Sequence, residues 1–174
     1  LVSKEQEIKQ FKWNIEAVAN LKVRLKQSQQ LGTRLETVVT EWGKAQKVRY
    51  TKTAKGDKTV LVLTYAAKQT VHGKKSVTLW FEQEKDQGYR LTMVDATNLL
   101  DANEKASSEK EITTEKENKG TELAHLINKL GTPQRLVWGE LLDGEEGFLA
   151  TYQIPGQAEV VMELKKKGKK LVLV

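Results

Sequence analysis

The sequence predicts an α+β fold of two tandem units, each a helix followed by a four-stranded antiparallel sheet, after an N-terminal helix. First, the stretch GTRLETVVTEWG at 32–43 returns as GTELAHLINKLG at 120–131. Second, apolar residues in both stretches recur at i, i+3, i+4 and i+7, the spacing of one helical stripe. Third, four short strand-like segments separated by turn signals follow each stretch. We therefore expect repeat unit 1 at 32–94 and repeat unit 2 at 120–174.

The N-terminal part of the chain, residues 1–31, is expected to form one helix. Between residues 4 and 30 apolar residues recur at helical spacing on one side. They are Ile8, Phe11, Ile15 and Val18, followed by Leu21 and Leu25.

The helix of each unit has a predicted beginning and end. Thr33 and Thr121 stand where a helix N-cap belongs, and Glu36 would complete a capping box with Thr33. Gly43 and Gly131 follow the last apolar residue of the two stripes, where a helix often ends with positive φ.

Eight segments, four after each of the two helices, are predicted to be strands. Their composition is rich in β-branched and aromatic residues, and Gly or Asp stands at the turns. In unit 1 the segments are KAQKVRY, TVLVLTY, VTLWFE and QGYRLTMV; in unit 2 they are TPQRLVW, GFLATYQ, VVMELK and KGKKLVLV. A helix on one face of each sheet would leave the other face open.

A polar linker is expected between the units at 95–119. This stretch holds seven acidic and four basic residues and few apolar ones. Only the part near 98–100 is predicted to be helical, and the rest has the composition of a mobile connection.

The composition excludes several kinds of chemistry. The chain has 174 residues and no cysteine, so disulfides, Cys-ligated zinc and thiol nucleophiles are ruled out within it. His72 and His125 occupy non-equivalent places with no carboxylate at ligand spacing, and neither a nucleophile elbow nor a phosphate-binding loop is present. No apolar run reaches the ~18 residues of a membrane span. We expect no enzyme, no metal and no cofactor.

The doubled unit, with its GT…LG.PQ signature, resembles the beta-lactamase inhibitory protein-like fold, which also occurs in lipoproteins of Gram-positive bacteria. The resemblance covers most of 32–174. It is carried by Gly120, Thr121, Leu123, Ile127, Leu130, Gly131, Pro133 and Tyr152, with their partners in unit 1.

This resemblance implies a non-catalytic, extracytoplasmic protein that binds other proteins, either secreted or lipid-anchored. The chain begins at Leu1 rather than Met, which leaves room for an export signal upstream. The inhibitor has disulfides and this chain has no cysteine, so inhibition of a beta-lactamase is not carried over.

The open face of the first sheet is the predicted binding surface. Strand alternation places Val77, Leu79 and Phe81 on the helix side, and Thr78 and Trp80 on the other. Arg49 also points outward, and Arg90 completes the predicted set. The alternative is that Trp80 is covered by the other unit or by the linker. Five other aromatic residues are expected in the core: Tyr50, Tyr65, Trp138, Phe148 and Tyr152.

A Lys-rich surface supports a second hypothesis, an adaptor for anionic envelope polymers or lipid headgroups. Net charge is +6, and the segment 32–94 has 12 basic and 6 acidic residues. The predicted contacts are Lys74, Lys75 and the run KKKGKK at 165–170. The alternative is an ordinary solvated surface. Aromatic residues do not alternate with this run, so we do not expect nucleic acid as a partner.

Overall fold

A computed structural model describes residues 13–67 and 75–174 and shows a helix-covered antiparallel sheet of eight strands. Strands are hydrogen-bonded in sequence order: β1 Lys47–Lys52, β2 Thr59–Ala66, β3 Ser76–Glu84, β4 Gly88–Asp95, β5 Arg135–Glu140, β6 Glu146–Gln153, β7 Glu159–Lys167 and β8 Lys170–Leu173. The helices described are α1 Ile15–Ala19, α2 Leu35–Trp42, α3 Glu109–Lys116 and α4 Leu123–Leu130, with a 3₁₀ turn at Thr97–Leu99. The predicted α+β class is confirmed. None of the helices described is long and apolar enough to cross a membrane.

The two halves share one continuous sheet rather than forming two separate ones. β4 and β5 join them through only two residue pairs, Val94 with Trp138 and Asp95 with Val137. The adjoining strand pairs run over six or seven pairs. Beyond this short contact β4 and β5 diverge, which leaves a gap between the halves.

An extended N-terminal segment fills this gap. The Arg24 N–H donates to the Leu91 carbonyl at 2.9 Å, and the Leu91 N–H donates to the Thr33 carbonyl at 2.9 Å. On the β6 side, the Glu146 carboxylate accepts from the Val23 N–H at 3.1 Å and from Lys22 Nζ at 2.9 Å. The segment therefore supplies β4 with the partner that β5 does not provide.

The prediction of a helix through residue 31 is wrong for the part that the structure describes. The helix there is confined to α1, and residues 1–12 lie outside the described residues. Leu21, Val23 and Leu25 are buried, whereas Lys22 and Lys26 are exposed. This alternation is the period of an extended chain, and it competes with the i, i+4 spacing of Leu21 and Leu25. Pairing with Leu91 decides between the two.

The helices of the two units end as predicted but begin differently. Gly43 and Gly131 follow α2 and α4 with φ of 82° and 87°. The N-caps are Arg34 and Glu122, neither of which makes a side-chain cap bond, so the predicted capping role of the threonines is wrong. Thr33 instead accepts from the Lys22 N–H with its hydroxyl, at 2.9 Å.

Part of the predicted linker is a helix, α3. Ser108 accepts from the Glu111 N–H at 3.2 Å, and the Glu111 carboxylate accepts from the Ser108 N–H at 3.1 Å, which together make a capping box. Ile112 is only 2% exposed and belongs to the main core. One apolar anchor and one cap therefore order a stretch whose overall composition indicated mobility.

Four of the five aromatic residues expected in the core are there. Tyr65, Trp138, Phe148 and Tyr152 are buried, and these predictions are confirmed. Tyr50 is 68% exposed, so its core assignment is wrong. It lies in register with Leu61 and thus on the helix side of the sheet, but every residue of the edge strand β1 is exposed.

Replacing Tyr152 by phenylalanine should lower the free energy of unfolding by about 1–2 kcal/mol. Its hydroxyl donates to the Gly131 carbonyl at 2.8 Å, in a buried place, and the variant leaves that carbonyl without its partner. Tyr65 makes the matching bond to the Gly43 carbonyl at 2.8 Å, so Tyr65→Phe is the comparison. Urea unfolding measures both, and an unchanged Tyr152→Phe variant would contradict the prediction.

Candidate functional site

The sheet face opposite the helices, called the open face below, is the candidate site. Buried residues of the four described helices all belong to one core cluster on the other face. That cluster contains neither Trp80 nor its neighbours Val62 and Met93. Within the described residues, therefore, this face receives no buried helical side chain.

An apolar stripe crosses the middle of the open face. Val62 pairs with Trp80, and Trp80 pairs with Met93 across the next strand boundary. In the other half Val137 pairs with Leu149. Val62 is 2% exposed while Trp80, Met93 and Leu149 are half-buried. Directly opposed residues have Cβ atoms about 5 Å apart, so Val62, Trp80 and Met93 form one apolar surface. Val137 and Leu149 form a second one, separated from the first by Asp95, which pairs with Val137.

Three of the predicted site residues come together here. Arg49 pairs with Val62, which pairs with Trp80, so the guanidinium and the indole flank one valine. Thr78 lies two residues from Trp80 on the same face, with its hydroxyl 3.5 Å from that of Thr64. The Arg49 side chain is exposed and forms no hydrogen bond or ion pair with a described residue. Their binding role stays a prediction.

Arg90, the fourth predicted site residue, makes hydrogen bonds within the fold. Its guanidinium donates to the Gly32 carbonyl at 3.1 Å and to the backbone and side-chain oxygens of Gln87 at 2.9 and 3.2 Å. Arg90 thus fastens the segment before α2 to the beginning of β4. Three of its five N–H donors are thus used inside the chain, and its predicted binding role stays a prediction.

The predicted basic surface is also partly neutralised. Lys74 lies outside the described residues. Lys75 is buried and donates to the Leu99 carbonyl at 3.3 Å and to the Asp101 carboxylate, which corrects its expected role as a surface cation. These contacts tie the beginning of β3 to the turn after β4.

The run at 165–170 forms internal contacts as well. Lys165 pairs with Asp143 and Glu145, and Lys170 pairs with Glu122 at 3.0 Å. The ammonium group of Lys166 contacts Asn20. Two of the five lysines in the run are therefore paired with carboxylates, whereas Lys167 and Lys169 are exposed without an ion pair to a described residue.

A charge cluster that sequence reasoning missed closes one end of the open face. Arg24 Nη1 lies 3.0 Å from carboxylate oxygens of both Glu82 and Glu84. Lys58 Nζ lies 3.3 Å from Glu84. Partial burial raises the pKa of Glu84, but hydrogen bonds from Arg24 and Lys58 outweigh it, so its pKa lies below the ordinary value. Glu82 and Glu84 lie two residues apart in β3, but Arg24 precedes Glu82 by 58 positions, so only the fold reveals the cluster.

The Glu84 cluster should make stability depend on acid pH. A carboxyl with a lowered pKa stabilises the fold above its unfolded-state pKa of about 4.3, and this contribution is lost as pH falls through the lower folded-state pKa. We expect Glu84→Gln to be less stable than wild type at pH 7, with a difference that shrinks below pH 4. Urea unfolding from pH 3 to 7 measures it, with Glu104→Gln, an exposed carboxylate without an ion pair among the described residues, as the control. A stability difference between Glu84→Gln and wild type that did not change with pH would contradict the prediction that the ionised Glu84 carboxylate stabilises the fold.

A groove of about 600 Å³ extends the open face at its other end. Its lining includes Leu149 and Val161, with Lys116 and Lys119 beside them. Leu142 also lines it and is 93% exposed. The groove thus combines apolar side chains with charged ones. Within 13–67 and 75–174, no group of three or more metal-ligating side chains could hold a metal ion.

A solved structure described as a "putative beta-lactamase inhibitor protein" from Streptococcus mutans is similar to this chain, with a TM-score of 0.43 and 16% sequence identity. The similarity covers 89% of each chain. No family model and no curated protein matches the chain.

Proposed function

We propose that this chain is a non-catalytic protein-binding module and that the open face is its binding surface. The observation that carries the proposal is the uncovered apolar stripe centred on Trp80, on a sheet face that receives no buried side chain from the described helices. Tryptophan is strongly enriched among the residues that dominate binding energy at protein interfaces. A half-buried indole held by a rigid sheet also loses little conformational entropy on binding.

The surroundings of Trp80 match the usual anatomy of a protein interface. Arg49 lies at one side, and Thr78 and Asp95 pair across the strand boundary beside the stripe. Interfaces commonly have such an apolar centre inside a polar rim. The groove at Leu149 would lengthen the contact toward β7.

Trp80→Ala should leave the fold intact and weaken binding. Truncating a central interface tryptophan costs about 2 kcal/mol or more, which is roughly thirtyfold in Kd. Because Trp80 lies outside the core cluster, Tm should fall by only a few degrees. The test captures partners from an extract of the producing organism on immobilised wild type, then titrates the purified partner with wild type and variant.

Tyr50→Ala is the matched control, because it removes an exposed aromatic residue from the helix side of the sheet. It should bind this partner as wild type does. A large fall in Tm for Trp80→Ala would show that Trp80 belongs to the core, and equal binding by both variants would exclude the open face.

Salt separates this proposal from the adaptor hypothesis. Binding through the apolar stripe should survive 0.5 M salt, whereas binding of an anionic polymer or lipid surface should fade steeply as ionic strength rises. Vesicles with and without anionic lipid provide the direct comparison. Tight, salt-sensitive binding to the anionic vesicles would support the adaptor.

An extracytoplasmic location, as a secreted or lipid-anchored protein of a Gram-positive bacterium, is part of the proposal. Its support is the family resemblance of the sequence. The N-terminal sequence of the whole gene and fractionation of cells that express it test the location. A leader sequence with the protein in the membrane or culture fraction would support it, and a cytosolic protein would contradict it.

The proposal also treats the two halves as tandem copies of one unit. Equivalent bonds support this: the Ala66 N–H donates to Gln46 Oε1 and the Gln153 N–H to Gln134 Oε1, each at 2.8 Å. An experimental structure tests it by superposing 32–94 on 120–174. Strands that failed to correspond one to one would contradict it.

A further inference from the structure

The outer edge of β1 is the feature that the binding face does not use. β1 is the first strand of the sheet, and all six of its residues are exposed. The Thr53 N–H donates inward to the Lys58 carbonyl at 3.0 Å. Since backbone groups alternate sides along an antiparallel strand, those of Val48, Tyr50 and Lys52 point away from β2.

Other edges of this sheet are covered by the chain itself. The part of β4 that does not pair with β5 is hydrogen-bonded, through Leu91, to the backbone of Arg24 and Thr33. At the far edge, Leu173 of β8 exchanges backbone bonds with Gly120 and Thr121, at 2.7 and 2.8 Å. No described segment does the same for β1. An uncovered edge strand is a ready template for another strand.

The charge of this edge indicates what it would accept. Between Trp42 and Asp57 the sequence has five basic residues and no acidic one: Lys44, Lys47, Arg49, Lys52 and Lys55. All five are exposed, and none forms an ion pair with a described residue. Pairing of β1 with β1 of a second copy would oppose like charges, which destabilises a cross-strand pair. An acidic strand has the complementary charge.

The side chains of β1 also set a pattern. Val48 and Tyr50 are 54% and 68% exposed and lie on the helix side. Lys52 also lies on the helix side, whereas Lys47 and Arg49 lie on the other side. A partner strand that alternates apolar with acidic residues would therefore match Val48 and Tyr50 on one face and Lys47 and Arg49 on the other, since directly opposed side chains determine strand pairing.

We infer that the edge of β1 accepts an extended acidic segment of a partner protein as a ninth strand. Backbone bonds to Val48, Tyr50 and Lys52 would give affinity, and the cations would select acidic sequences. The edge shares Arg49 with the Trp80 stripe, but its outward backbone groups are not part of that stripe, so peptide binding at the edge is tested separately from partner binding at Trp80.

The test uses a labelled seven-residue peptide that alternates valine with glutamate. A second peptide carries a central proline, and a third has lysine for glutamate. Amide exchange by NMR and fluorescence anisotropy are measured on the full chain. We expect only the alternating acidic peptide to slow exchange of the Val48, Tyr50 and Lys52 amides, with binding at least roughly tenfold tighter than either control peptide.

Variants separate strand addition from charge attraction. Tyr50→Pro removes one outward N–H at an edge where proline is tolerated and should weaken binding about tenfold, whereas Tyr50→Val keeps the N–H and should bind. If Tyr50→Pro does not fold, the charge reversal K47E/R49E, on the face that meets the acidic residues of the peptide, serves instead and should prefer the lysine peptide.

Three results would overturn the inference. Equal binding of the proline peptide would mean attraction by charge alone. Tighter binding of an oligothymidylate, without amide protection, would mean a nucleic-acid surface. Amides of Val48, Tyr50 and Lys52 that are already protected in the free chain would mean that the edge is covered by the chain itself.

Discussion

Replacing Trp138 by alanine is expected to lower the free energy of unfolding by about 3–5 kcal/mol. The side chain is 2% exposed, and its ring packs edge-on against Phe148 with centroids 4.8 Å apart. Its indole N–H donates to the Leu21 carbonyl at 3.0 Å. Trp138 is also one of the two β5 residues that pair with β4. The change therefore affects the core, the strand junction and the N-terminal segment together.

Trp138→Phe separates these contributions. The phenylalanine variant keeps an aromatic ring in the core but leaves the Leu21 carbonyl without its donor. Its free energy of unfolding should therefore fall clearly less than that of the alanine variant. Urea unfolding followed by far-UV circular dichroism measures both. If the free energy of unfolding of the alanine variant fell by less than about 1 kcal/mol, as is typical of an exposed position, the packing of Trp138 in the core would be contradicted.

Gly32→Ala is expected to cost about 3 kcal/mol or more, because overpacking against backbone cannot be relieved by a side-chain rotation. A Cβ at this position would lie 1.9 Å from the Leu91 carbonyl oxygen and 2.8 Å from its carbon. The chain would have to move away from β4, which would break the bond between Leu91 and Thr33. The Arg90 contact to the Gly32 carbonyl would be lost with it.

Gly43→Ala is the control for this substitution. Gly43 has a φ of +82° and a ψ of −161°, a region that essentially only glycine adopts, but there is open space around its would-be Cβ, so alanine there should cost about 1–3 kcal/mol of backbone strain without any overpacking. Urea unfolding should therefore rank Gly32→Ala as the more damaging of the two. Equal losses in the free energy of unfolding of the two variants would mean that the extended N-terminal segment does not pack closely against β4.

Local patterns predicted the repeated elements well. The apolar stripes ending at Gly43 and Gly131 gave α2 and α4, and β-branched runs between turn residues gave the eight strands. Alternation along β3 correctly placed Val77, Leu79 and Phe81 in the core and Trp80 on the other face. These features depend on neighbours within a few residues, which a sequence records directly.

The features that were predicted wrongly depend on contacts between residues that lie far apart in the sequence. Residues 21–25 satisfy both helical and alternating spacing, and contacts with distant residues such as Leu91, Trp138 and Glu146 select the extended form. Ser108 and Glu111 were a readable capping box that the polar composition around them obscured.

The candidate site was predictable only in part. Strand alternation was enough to bring Arg49, Thr78 and Trp80 to one face. It could not show that Arg90 is held by Gly32 and Gln87, or that Lys75 is buried beside Asp101. Exposed cations and engaged ones look identical in a sequence, since their partners lie many residues away.

The open face is tested most directly by ¹⁹F NMR of the chain labelled with 5-fluorotryptophan. Of its four tryptophans, Trp13, Trp42 and Trp138 are buried, whereas Trp80 is half-buried on the open face. Trp80→Phe assigns its resonance. On titration with the captured partner, the Trp80 resonance should shift or broaden at the concentration where binding occurs, while the other three change little. Saturated binding that leaves the Trp80 resonance unchanged would contradict the proposal that the open face is the binding surface.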